Sequence, residues 1–103
     1  MILKQEQIFA GLKIDRNKKI LFYEGEAIAL KHLEFSTLSF LAAHPEWVFT
    51  KEQIYEAVWK EPGEFCGSAV ANVISQIRRK LRKAGVKKEY IQTVIHQGYK
   101  FVP

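Results

Sequence analysis

Residues 68–83 read SAVANVISQIRRKLRK, and a buried stripe and a cationic face share this one segment. Val70, Ile74, Ile77 and Leu81 recur at i, i+4, i+7 and i+11, which at about 100° per residue places them on one side of an α-helix. That side must be buried. The other side collects Ser68, Asn72, Ser75, Gln76, Arg79 and Arg82, a mixture of hydroxyls, amides and guanidiniums with no large apolar residue. Such a face can serve solubility alone. It also has the chemistry to read base edges, because Asn and Gln match adenine, Arg matches guanine, and Ser bonds to either kind of edge.

The charge balance leans the same way. Of the formal net charge of +5, residues 68–103 carry about +7 and residues 1–67 about −2. Asymmetry of this sort suits a polyanionic partner, and nucleic acid suits it better than a membrane because the outer face of the helix is polar. A hydrophobic content of 48% in 103 residues is enough for one domain, 1–103, with a real core and no need of a metal or disulfide. The single cysteine, Cys66, leaves no internal disulfide and fits a reducing compartment. No signal peptide is visible, and no apolar run approaches the roughly 20 residues of a membrane span. The expected location is therefore the cytoplasm.

Outward from the helix, residues 1–29 hold short strand-like runs, Ile8-Phe9, Leu12 to Ile14, Ile20 to Tyr23 and Ala27 to Leu30, separated by turn residues. They predict an N-terminal antiparallel sheet. Glu34 to Ala43 has Phe35, Leu38, Leu41 and Ala42 at helical spacing and ends at His44-Pro45. Trp47, Val48 and Phe49 form an apolar connector, with Trp47 assigned to packing. Thr50-Lys51-Glu52-Gln53 is a capping box opening a second helix to about Trp59, expected to bury Ile54, Ala57 and Val58. Lys60 to Glu64, with Pro62-Gly63, cannot continue it. The long helix ends at Lys83-Ala84-Gly85, where glycine suits a left-handed cap. Ile91 to Ile95 and Tyr99 to Val102 flank His96-Gln97-Gly98 as a C-terminal hairpin. The predicted fold is α+β, a winged helix-turn-helix with an N-terminal antiparallel sheet, three helices and a β-hairpin wing.

In that order the residues closely resemble the OmpR/PhoB-type effector domain of bacterial two-component response regulators, over nearly the whole chain. The marks are Leu33-Glu34-Phe35 with Leu38, His44-Pro45, Lys51-Glu52-Gln53-Ile54 ending in Val58-Trp59, and Val70, Val73-Ile74, Ile77-Arg78 and Lys80-Leu81. Ile91, Thr93-Val94 and Gly98-Tyr99-Lys100-Phe101 continue them. The resemblance implies sequence-specific binding of double-stranded DNA as a transcriptional regulator, with helix 68–83 in the major groove and wing 91–102 at the adjacent minor groove.

On that docking, Asn72 and Gln76 are the expected base readers, with Ser68 and Ser75 beside them. Arg78, Arg79 and Arg82 supply phosphate contacts, while Lys80 lies nearer the core. Thr50 and Lys51 at the start of the second helix join them, as do Thr93, His96 and Lys100 on the wing. Trp59 and Tyr99 are expected as partly buried residues lending an N–H or hydroxyl to a phosphate. The resemblance further implies RNA polymerase as a partner of loop 60–66 and a receiver domain outside this chain.

Four positions depart from the family's pattern. Lys31 stands where a threonine cap is usual, so Glu34 is expected to lose its capping-box partner at a cost of ~1 kcal/mol. Ser68 replaces a common arginine, Ala71 a common acid, and Ile95 a basic residue often sent into the minor groove. One copy is therefore expected to bind a half-site weakly and two copies to bind usefully.

Catalysis fits the composition poorly. His32, His44 and His96 lie in separate segments without ligand spacing, Cys66 has no base beside it, Glu52 and Glu56 read as solvated acids on a helix face, and no glycine loop cradles phosphate. No enzyme activity, cofactor or metal is expected. The rival reading is a winged helix that serves as a protein-interaction module without specific DNA binding, and salt dependence separates the two.

Overall fold

The computed structural model describes residues 5–103, so the first four residues of the expected sheet segment and of the expected 1–103 domain lie outside it. Four strands, β1 (Glu6–Phe9), β2 (Leu12–Asp15), β3 (Ile20–Tyr23) and β4 (Glu26–Ile28), form an antiparallel meander in chain order. Leu12 pairs with Tyr23, and Ile14 pairs with Leu21, which pairs in turn with Ile28. With period 2, this register puts Leu12, Ile14, Leu21 and Ile28 on the buried face.

Helix α1 (His32–Ala42) starts two residues before the expected Glu34, and α2 (Lys51–Val58) follows the connector. A single 3₁₀ turn (Gly63–Phe65) occupies the loop before α3 (Ala69–Lys83). The wing is β5 (Ile91–Val94) paired with β6 (Gly98–Phe101). Leu38 and Leu41 of α1, Ile54 of α2, the α3 stripe, and Ile91 and Phe101 of the wing all join the sheet's buried face in one core.

One burial expectation changes. In α2, Ile54 is buried as expected, but Tyr55 takes the second core position, while Ala57 is exposed and Val58 half-buried. Tyr55 can be buried because its hydroxyl donates to the Glu61 carboxylate at 3.0 Å and its ring stacks on Trp59 at 5.0 Å. Trp47 packs as expected, one face stacked on His44 at 4.8 Å, although the ring caps a surface cluster and is 61% exposed.

The C-terminus of α3 closes as its residues dictate. The Val86 N–H donates to the Leu81 carbonyl and the Gly85 N–H to that of Arg82, both at 3.0 Å, with Gly85 at φ 93°. This is the Schellman pattern, and it folds Val86 back into the core beside Leu81.

Candidate nucleic-acid interface

The apolar stripe fixes how α3 presents its outer face. Val70, Ile74, Ile77 and Leu81 are at most 4% exposed, whereas Ser68, Asn72, Ser75, Gln76, Arg79 and Arg82 are all exposed. Ser68 precedes the first helical residue and makes no side-chain cap. Its Oγ accepts from Asn72 Nδ2 at 3.4 Å one turn on. Arg79 donates to Gln76 Oε1 through Nε at 3.1 Å and Nη2 at 2.6 Å. The face thus carries pre-oriented amides and guanidiniums and no carboxylate. Lys80, Arg82 and Lys83 also sit in the last turn, where cations complement the helix dipole.

The remaining cations of the 78–83 run are not equivalent. Lys80 Nζ lies 2.6 Å from Glu34 Oε1, and both side chains are largely buried. The Glu34 carboxylate also accepts from the Lys31 backbone N–H at 2.9 Å. Lys31 offers no acceptor side chain, yet Glu34 is not orphaned: the backbone half of the capping arrangement survives and Lys80 supplies the rest. Burial by itself pushes the Glu34 carboxyl up. The hydrogen bonds from Lys80 and Lys31 and their charges outweigh it and hold the carboxyl below its ordinary value. Arg78 is half-buried and its guanidinium turns toward the wing, donating to the Ile91 carbonyl and the Thr93 hydroxyl.

Thr50 and Lys51 meet the wing. Thr50 Oγ1 accepts from the Gln53 N–H at 3.0 Å while Gln53 Oε1 accepts from the Thr50 N–H at 2.9 Å, as the capping box requires. This helix start, with Thr93, His96 and Tyr99, lines an open cleft of about 400 Å³. Trp59 stands at the far end of α2 and lies outside that cleft. Lys100 is half-buried and pairs with Glu46 at 3.4 Å. Ile95 is 73% exposed at the wing turn, next to His96 at φ 63°.

The wing is seated largely by backbone. Phe49 and Tyr99 exchange N–H···O bonds at 2.9 Å in each direction, and the Glu46 N–H donates to the Phe101 carbonyl at 2.8 Å. Gly98, at φ 142°, makes that approach possible: a Cβ there would lie 1.9 Å from the Phe49 oxygen. The Arg78, Lys80 and Lys100 partnerships were missed by sequence reasoning. They join residues 13, 46 and 54 positions apart with no periodicity linking them. Among the described residues, no helix is long and apolar enough to cross a membrane, and no group of three or more His, Cys, Asp or Glu side chains could hold a metal.

A core-anchored helix with an open polar face, preceded by a shorter capped helix and flanked by a hairpin, defines the winged helix-turn-helix class. Residues 25–101 match the family model described as "Transcriptional regulatory protein, C terminal". The chain belongs to that family, the OmpR/PhoB-type effector domains.

Among its relatives, the transcriptional regulatory protein YvrH of Bacillus subtilis is 36% identical over 83 residues, covering 81% of this chain and 35% of YvrH. The two-component response regulator PhoP of Pseudomonas aeruginosa is 34% identical over 98 residues, covering 94% of this chain and 43% of PhoP. The chain thus spans less than half the length of these curated relatives. The RstA DNA-binding domain of Klebsiella pneumoniae, solved in complex with the RstA box, superposes with a TM-score of 0.85 at 26% identity, covering 97% of this chain and 99% of that one. The response regulator DrrB of Thermotoga maritima gives a TM-score of 0.81 at 32% identity, covering 97% of this chain and 45% of DrrB.

Proposed function

We propose that this chain is the DNA-binding portion of a bacterial transcriptional regulator, reading duplex DNA with α3 in the major groove and the β5–β6 wing at the adjacent minor groove. The observation that carries the reading is the outer face of α3: exposed Ser68, Asn72, Ser75, Gln76, Arg79 and Arg82, no acid among them, held rigid by a stripe at most 4% exposed. Asn72 and Gln76 suit adenine edges, and Arg79 and Arg82 suit phosphates. Thr50, Lys51, Thr93, His96 and Tyr99 supply the flank, since the α2 start and the wing share one cleft, and Lys100 joins them from outside it, where it pairs with Glu46. Trp59 reaches a phosphate only from the opposite end of α2.

The work is binding and regulation, carried out in the cytoplasm. A receiver domain outside this chain would hold two copies together on paired half-sites, which offsets the uncharged Ser68, Ala71 and Ile95. Loop 60–66 is the surface offered to RNA polymerase, because Phe65 there is 64% exposed.

Salt dependence tests the reading against a protein-only partner. The affinity for a selected duplex is expected to fall with salt at a log–log slope of about −0.9 per neutralised phosphate, and heparin is expected to compete. Saturable binding to a protein partner, with a slope near zero on DNA, would contradict it.

A further inference from the structure

The DNA reading leaves unexplained what holds the wing at a fixed angle to the recognition helix. Both must meet one duplex, yet the wing's core contribution rests chiefly on Ile91 and Phe101. As a two-stranded sheet it has two edges, each with backbone groups that need partners. The β6 edge is taken by the connector, through the Phe49–Tyr99 and Glu46–Phe101 backbone bonds. On the β5 edge, one side chain bonds a backbone carbonyl. Arg78 Nε and Nη2 donate to the Ile91 carbonyl at 3.3 and 2.9 Å, and Nη2 donates to Thr93 Oγ1 at 2.9 Å. The same guanidinium carbon lies 5.9 Å from the Tyr99 ring centroid, so Arg78 touches both strands of the wing.

We propose that Arg78 is a positioning residue: it locks the wing to α3 so that the major-groove and minor-groove contacts fall in register on one duplex. The role rests on the DNA-binding reading and changes one part of it, because Arg78 no longer acts chiefly as a phosphate ligand. Arg79, next in sequence, points outward and is the fitting control. A planar guanidinium fork can grip a carbonyl and a hydroxyl together while stacking on a ring, whereas an ammonium is a point charge on a flexible stem. Arginine-to-lysine replacement therefore keeps a phosphate ligand's charge and removes a lock.

The experiment takes the wild-type chain, Arg78→Lys, Arg79→Lys and Thr93→Val, and makes two measurements on each. Without DNA, the backbone amide shifts and hydrogen exchange of residues 91–101 report whether the wing is seated. With a selected duplex, dimethyl sulfate methylation at guanine N7 reports major-groove protection and hydroxyl-radical cleavage of the sugars reports minor-groove protection. Arg78→Lys is expected to raise exchange across the wing, lose minor-groove protection, keep major-groove protection, and lose affinity roughly tenfold, as loss of a charge-assisted bond would. Thr93→Val is expected to give a smaller change of the same kind, and Arg79→Lys to leave the free wing unchanged. Wild-type exchange and an intact minor-groove footprint in Arg78→Lys would overturn the lock. Should the wild type protect no duplex at all, DNA binding itself falls, while the exchange data still decide whether Arg78 seats the wing.

Discussion

The recognition helix and the wing face the same side of the problem, but different parts of the chain hold them in place. Helix α3 is seated by side chains: four aliphatic residues at helical spacing, each at most 4% exposed, and one ion pair to α1. The wing adds to its two core side chains, Ile91 and Phe101, a seating by backbone, through the Phe49–Tyr99 and Glu46–Phe101 bonds and the close approach at Gly98, and by the Arg78 guanidinium on the Ile91 carbonyl. Side-chain seating tolerates volume-conserving changes in the core, because hydrophobic packing is non-directional. Backbone seating tolerates no added atom where two segments of backbone touch.

Gly98→Ala is the largest test of that contrast. The new Cβ would meet the Phe49 carbonyl oxygen at 1.9 Å, its carbon at 2.7 Å and Thr50 Cα at 2.9 Å, all of them backbone atoms. A loss of about 3 kcal/mol is expected in urea denaturation, at the upper end of overpacking costs. A midpoint equal to that of the wild type would show that the wing is not held against the connector.

Glu34→Gln tests the helix side with a smaller effect. Because Glu34 has a folded-state pKa below its unfolded one, its contribution is present above the unfolded value of about 4.3 and is lost as pH falls through the lower folded value. The variant keeps an acceptor for the Lys31 N–H but no charge for Lys80. It is expected to be less stable by about 1.5 kcal/mol at pH 7, with the gap closing below about pH 4. Denaturation midpoints across pH check this, and a gap independent of pH would remove the ion pair from the account.

The same contrast explains what could be read from the residues. The sheet, the three helices, the capping box at Thr50 and the Gly85 stop were legible, because each is a local pattern of apolar period or turn chemistry. Hydrophobicity favours Ala57 over Tyr55 for the core, because it does not reveal that the tyrosine hydroxyl finds Glu61. Trp47 is a packing residue, stacked on His44, but its position in the connector leaves most of the ring open, which residue type alone does not reveal. Within the candidate site, the exposed row from Ser68 to Arg82 followed directly from the stripe opposite it. The differing roles of Arg78, Arg79 and Lys80 did not: three adjacent cations look alike until the partners, Thr93, Gln76 and Glu34, are brought beside them.

The central claim is that the exposed row of α3 reads bases, and parallel selection of bound duplexes from a random pool tests it most directly. Wild-type protein is expected to enrich one short motif, and Asn72→Ala to change the preferred base within it at a cost of about 1–3 kcal/mol on the original site. Stability should stay within about 0.5 kcal/mol of wild type, because Asn72 is exposed and its side-chain bond to Ser68 is long, at 3.4 Å. The same motif with the same base preferences from both proteins would contradict the claim and place sequence reading outside this row.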